Sequence, residues 1–183
     1  MKHETGVTQR PDRVTGRRIS WMLGLPALIL ALGFASSPAL AGYRDGRAAY
    51  KAKNYAKAAE EFRKAAERGS ARAQYYLGLM YRRGNGVTAD DAEARRWFLK
   101  ASERGHAIAQ ATLASLMRRG KGGPKELVEA YKWLSLSLKK RPSEKHAHNL
   151  RSIEKRLTYA EIAEAKKWVE NWRPISRKRR SDR

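Results

Sequence analysis

Apolar positions along the chain follow a helical rather than an alternating rhythm. Ala73, Leu77, Met80 and Tyr81 stand at i, i+4, i+7 and i+8, which is one face of a helix. Ala94, Trp97, Phe98 and Ala101 form a second stripe of the same kind. Between them lies Arg83-Gly84-Asn85-Gly86-Val87, a turn in which two glycines can take positive φ. Asp90 with Glu93 three residues on predicts an N-cap and capping box. Gly69 and Gly105 stand where C-terminal glycine caps belong.

The pattern repeats at a stride of 36 residues. Glu67-Arg68-Gly69 returns as Glu103-Arg104-Gly105, Ala73-Gln74 as Ala109-Gln110, and Arg82-Arg83-Gly84 as Arg118-Arg119-Gly120. Ala58 recurs as Ala94 and Ala130, Trp97 as Trp133, and Phe62 as Phe98 and then Leu134. A period of this length in helix-forming residues predicts stacked helical hairpins, none of which can bury its apolar face alone. Small residues such as Gly78, Ala94 and Ala101 let neighbouring helices approach while Trp97 and Phe98 fill the space between. Tyr81, Trp97, Phe98, Trp133, Trp168 and Trp172 are therefore expected in the core or its cap.

The segment from Ala73 to Gly105 resembles one full Sel1-like repeat, carried by Ala73, Leu77, Gly78, Tyr81, Gly84, Gly86, Val87, Asp90, Ala94, Trp97, Ala101 and Gly105. The next copy keeps Ala109, Leu113, Gly120, Gly122, Ala130 and Trp133. It departs at Ala114, Met117, Gly123 and Ser137, and its turn is expected to be looser. The first copy, around Gly46, Ala49, Tyr55, Ala58, Phe62 and Ala65, has a shorter turn and is similar to a tetratricopeptide repeat. The resemblance implies an all-α, right-handed solenoid of antiparallel hairpins and a role as an interaction scaffold. Its repeats are expected at about 43–69, 70–105 and 106–141. Arg141-Pro142 stops the last repeat helix. Two capping helices are predicted over 142–173, from Glu144 to Arg156 and from Thr158 onward. The second has Glu161 three residues after Thr158 and an apolar face of Ile162, Ala165, Trp168, Val169 and Trp172. Pro174 ends it, and residues 174–183 read as a basic, disordered tail.

Residues 1–41 read as a signal peptide. Arg10, Arg13, Arg17 and Arg18 precede an apolar run from Trp21 to Phe34, and Ala39-Leu40-Ala41 offers a small-residue cleavage site. That run is short of the roughly 20 residues a bilayer span needs, and Gly24, Pro26 and Gly33 interrupt it. Cleavage after Ala41 and a periplasmic or secreted location are expected, with an uncleaved inner-membrane anchor as the alternative. Ile19-Ser20-Trp21 after Arg17-Arg18 fits a twin-arginine signal poorly, so the general secretory route is favoured.

Charge changes the picture next. The chain has 40 Lys and Arg against 18 Asp and Glu, a formal net charge of +22, which favours anionic partners. It has no cysteine, so disulfides, thiolate metal sites, cysteine nucleophiles and lipoprotein anchoring are excluded. His146 and His148 are two apart and diverge on a helix. His106 follows Gly105 at a helix start, where a polar residue is ordinary. No metal, cofactor or catalytic constellation emerges. Some cysteine-rich Sel1-like proteins hydrolyse β-lactams, but this chain has neither their cysteines nor a nucleophile–base pair. Among the acidic residues, Glu93 is expected to pair with Arg96 and Glu126 to serve its own turn near Ala130.

In hairpin solenoids of the family it resembles, the first helix of each pair lines a concave groove. The equivalent positions here are Tyr43, Arg47, Tyr50 and Lys51 in the first copy. They are Arg72, Tyr75, Leu79, Arg82 and Arg83 in the second, and Arg118 and Arg119 in the third. Cations interleaved with tyrosines suit an acidic protein segment or polyanion through ion pairs and cation–π contacts. The plainer alternative is a basic chain that carries arginine on every solvated face. A non-catalytic scaffold for an acidic protein segment is the first expectation. A binder of an anionic envelope polysaccharide or cell-wall polymer, or of a membrane surface, is the second. Arg177-Lys178-Arg179-Arg180 has the composition of a nucleic-acid patch, but behind a signal peptide nucleic acid is disfavoured.

Overall fold

The computed structural model describes residues 38–176. The predicted leader, apart from its last four residues, and the Arg177–Arg180 tail lie outside the described residues. Eight helices are described: α1 (Pro38–Lys51), α2 (Tyr55–Glu67), α3 (Ala71–Arg83), α4 (Asp91–Glu103), α5 (Ala107–Arg119), α6 (Leu127–Lys140), α7 (Glu144–Glu154) and α8 (Tyr159–Asn171). There is no strand among the described residues. Helices α1 with α2, α3 with α4 and α5 with α6 form hairpins, and α2–α3 and α4–α5 join each hairpin to the next. This is the solenoid of helix pairs that the 36-residue stride requires.

Equivalent residues start and stop the helices in the same way. Ser70 and His106 cap α3 and α5 by accepting from the backbone N–H groups of Ala73 and Ala109. Gly84 and Gly120 end the same two helices in the left-handed conformation, at φ 70° and 67°. Asp90 caps α4 by accepting from Ala92 and Glu93 N–H, but the reciprocal half of a capping box is not formed. The Asp90 N–H donates instead to the Tyr81 carbonyl, and Glu93 pairs with Arg96 as expected. A complete capping box occurs at Thr158 and Glu161, at the start of α8.

The third turn is no looser than the second. Lys121 N–H donates to Leu116 O and Glu126 N–H to Met117 O, matching Asn85 to Met80 and Asp90 to Tyr81. Gly123, at φ 156°, takes the place of Val87 without disturbing that pattern. The turn is further held by Arg95 of α4, which donates to Pro124 O at 3.0 Å and pairs with Glu126 at 2.6 Å. The Glu126 backbone thus serves its own turn, while its carboxylate ties hairpin to hairpin.

Close approach is what lets the hairpins stack. A Cβ on Gly122 would lie 2.0 Å from the Asp91 carbonyl oxygen, and one on Gly86 would lie 2.3 Å from that of Tyr55. Each turn thus rests on the first residue of the preceding second helix. Gln74 and Gln110 are buried and donate to Ala66 O and Ser102 O, at 3.0 and 3.1 Å, fastening each first helix to the end of the helix before it. Inside the hairpins, Gly46 and Gly78 face the rings of Phe62 and Phe98 so closely that a Cβ would come within 2.7 and 2.9 Å.

The core is divided into two clusters. One gathers Tyr43, Phe62, Leu77 and Met80; the other runs from Leu79 and Phe98 through Leu113, Leu116 and Trp133 to Ile153 and Val169. Trp133 is buried under α8, its ring 5.5 Å from Trp168 and 6.1 Å from Trp172. Trp97, at the same register position, is only half-buried and carries the Lys100 ammonium 4.2 Å from its ring. It is a border residue, because no helix equivalent to α8 covers it. Helices α7 and α8 both pack on α6. The chain after α8 returns to the end of α4, in the second repeat, where Ile175 N–H donates to Glu103 O at 2.8 Å.

Gly122→Ala should therefore destabilise the fold by about 2–4 kcal/mol, from both positive φ and a backbone clash. Gly120→Ala carries a similar φ, but its Cβ would meet nothing nearer than 3.6 Å, so it should cost only about 1–2 kcal/mol. Urea unfolding of the two variants separates the clash from the conformational term; equal losses would mean that the turn does not rest on α4.

Candidate partner-binding face

The first helices α1, α3 and α5 carry the residues expected to form a groove, and these residues divide into three groups. Tyr43 and Leu79 are buried, each 9% exposed, and pack the core instead of presenting a surface. Tyr43 sits 6.2 Å from the Phe62 ring and 5.9 Å from that of Tyr76. A second group is engaged within the chain. The Tyr50 hydroxyl accepts from the Arg83 guanidinium at 3.1 Å and from the Asn85 amide at 3.3 Å. Arg83 thus clamps the end of α3 to α1. Arg119 is exposed and donates from Nε to Ser115 O in its own helix.

The third group faces outward. Arg47, Lys51 and Arg72 are exposed and Tyr75 is half-buried; the Arg72 guanidinium is 5.9 Å from the Tyr43 ring. Arg82 and Arg118, 36 residues apart, both line one cavity of about 230 Å³. Its floor is apolar, made of Ala111, Ala114, Leu134 and Ile153. Thr112, Ser115 and Ile108 of α5 complete one wall, and Lys145, His146 and Asn149 of α7 the other. No carboxylate lines it. Arg82, Arg118 and Lys145 have no ion-pair partner among the described residues.

The α7 side of this cavity was absent from the sequence reading, which stopped the groove at Arg119. The available signal was the exchange of Tyr75, Tyr76 and Leu79 for Ala111, Thr112 and Ser115 at the same stride. It marks where the face loses bulk.

His106 is more than an ordinary polar residue. Its Nδ1 accepts the Ala109 N–H at 3.2 Å, and its ring stacks on Tyr75 at 4.9 Å. Burial, then the nearby charges of Arg72 and Arg141, lower its pKa from 6.5 to about 4. The neutral ring is the capping form, since a protonated Nδ1 cannot accept. Among the described residues no cluster of three metal-ligating side chains occurs.

The model of a family described as Sel1 repeat matches residues 39–70, 71–106 and 107–140, including the first copy with its shorter turn. Among solved structures the chain is similar to c5321, a protective antigen present in uropathogenic Escherichia coli strains displaying an SLR fold. Identity is 29% and the TM-score 0.66, over 73% of this chain and 30% of that one. It is also similar to a Sel1 repeat protein from Oxalobacter formigenes, at 26% identity and TM-score 0.54, over 81% of this chain and 56% of that one. The chain thus spans less than two thirds of either. A comparison with curated proteins found no match.

Acid should weaken the α5 cap before it protonates most carboxylates. Because the folded-state pKa of His106 is depressed, the unfolded chain binds a proton between pH 6.5 and about 4 that the folded chain does not. Its stabilising contribution is complete above that window and lost as pH falls through it. The melting temperature should fall from pH 7 to pH 5, and His106→Ser, which copies the Ser70 cap, should flatten the fall. An unchanged slope would remove His106 as its source.

Proposed function

The chain belongs to the Sel1 repeat family, and we propose that it is an exported, non-catalytic scaffold whose basic groove holds an acidic segment of a partner protein. Proteins built from these repeats are helical scaffolds for protein interaction and are typically not enzymes. The observation that carries the reading is the trio Arg82, Arg118 and Lys145, gathered from three helices around one cavity without a carboxylate among its lining residues. Like charges brought together repel, and an anionic partner relieves that repulsion while being drawn in by the net charge of +19 that remains once the leader, with its 5 basic and 2 acidic residues, is removed. Export rests on the leader, from its arginines to Ala39-Leu40-Ala41. Cleavage after Ala41 leaves Tyr43, Gly46 and Tyr50 on α1 to pack against α2 and α3.

The same net charge favours a second reading, an anionic envelope polysaccharide spread over a wider surface. The two differ in salt dependence, which is steep for a ligand of high charge density because bound counterions are released.

Protein recovered from its native cell should begin at Gly42. When crosslinked in the envelope, it should bring down a protein partner. Arg82→Glu combined with Arg118→Glu should reduce that capture about tenfold or more, whereas Arg119→Glu, outside the cavity, should have a much smaller effect. Undiminished capture by the double variant removes the groove reading. A salt-steep polysaccharide complex without a protein would favour the second.

A further inference from the structure

The cavity between α5 and α7 has two chemistries, and no purely ionic ligand uses both. Its rim is cationic, from Arg82, Arg118 and Lys145, while its floor is apolar. Ala114 and Ile153 are each 1% exposed and Leu134 is 4% exposed, so the floor is continuous with the core. Ile108, at the mouth, is 40% exposed. A polyglutamate strand would pair with the rim and leave the floor wet. A purely apolar segment would cover the floor and bury cations without partners, which is costly.

Size narrows the occupant further. At about 230 Å³ the cavity is below the range of roughly 300–1,000 Å³ typical of sites that enclose a whole small molecule. It suits one projecting side chain. The position also differs from its neighbour in a consistent way. In α3 the equivalent face is filled by the chain's own Tyr75, Tyr76 and Leu79, whereas the shorter Ala111, Thr112 and Ser115 leave the space open in α5.

We propose that this cavity is an anchor socket for a single large apolar side chain flanked by carboxylates in the partner's acidic segment. The inference rests on the acidic-partner reading above and adds the sequence the partner must show: acidic, then leucine or phenylalanine, then acidic. The apolar residue enters over Ala111, Ala114, Leu134 and Ile153, and the flanking carboxylates meet Arg82 and Arg118 on one side and Lys145 on the other. The amide of Asn149, on the α7 wall, can hydrogen-bond the peptide that carries it.

Two fluorescent synthetic peptides test this against the purified protein by anisotropy. One is all glutamate; the other has phenylalanine at the central position. Losing a charge should weaken a purely ionic ligand. The socket instead predicts that the phenylalanine peptide binds about tenfold tighter. Ser115→Leu, which restores the residue α3 has at this position, should abolish that preference and leave the all-glutamate affinity unchanged. Ala111→Tyr, copying Tyr75, is a second way to fill the space, and the comparison on the unsubstituted protein stands without either. Equal affinities for the two peptides, or a preference that survives both fillings, overturn the socket and leave the acidic groove intact. Failure of both peptides to bind overturns both readings.

Discussion

The structure depends on a carbonyl that nothing larger than glycine can approach. Gly86 lies over the Tyr55 carbonyl and Gly122 over that of Asp91, each so close that a Cβ would fall within 2.3 Å. Tyr55 and Asp91 open the second helices of the first and second hairpins. The turn of every later hairpin is therefore seated on the start of an earlier helix, and the offset between repeats is fixed at that point. The Gln74 and Gln110 amides fix the other end of the step, and Arg95 adds a bridge from α4 to the third turn. With both ends fixed, Arg82 and Arg118 come to the same place on neighbouring helices, and both reach one cavity.

Between repeats the interior trades volume in balance and the surface does not. Gly78 faces the Phe98 ring in the second hairpin. At the same positions the third hairpin has Ala114 and Leu134, a larger residue opposite a smaller one, and both are buried. This compensation is what close packing demands. On the face formed by the first helices, Tyr75, Tyr76 and Leu79 give way to the shorter Ala111, Thr112 and Ser115, which line the cavity with α7 or border it.

The repeat itself was legible because it is written in residues whose roles are local. Glycines at positive φ, caps and the spacing of alanines and leucines specify hairpins without reference to anything distant. What sequence could not give was cover. Trp97 and Trp133 are indistinguishable by pattern, yet only Trp133 is buried, because α8 lies on it. Tyr43 and Leu79 have groove register but turn into the core, where Phe62, Tyr76 and Phe98 are their neighbours. Glu126 looked like a residue of its own turn alone until α4 supplied Arg95. The cavity was out of reach for the same reason: half of its wall is α7, which follows the repeats and is not predicted by their period.

The recurring Arg-Arg pairs have an explanation that needs no ligand. They stand in the last turns of α3 and α5, where the negative end of the helix dipole favours cations. That account applies to either member of a pair, and the second members fit it with local partners: Arg83 reaches Tyr50 and Arg119 the Ser115 carbonyl. Of the first members, Arg82 also has a contact within its hairpin, its guanidinium 6.0 Å from the Phe98 ring, but neither has an ion-pair partner among the described residues. Both turn to the cavity, and α7 contributes Lys145 to the same rim. A helix dipole does not select for three positive charges around one apolar floor, since their mutual repulsion opposes folding. Under the proposed function the partner's carboxylates complete the rim, which accounts for this convergence where the helix dipole does not.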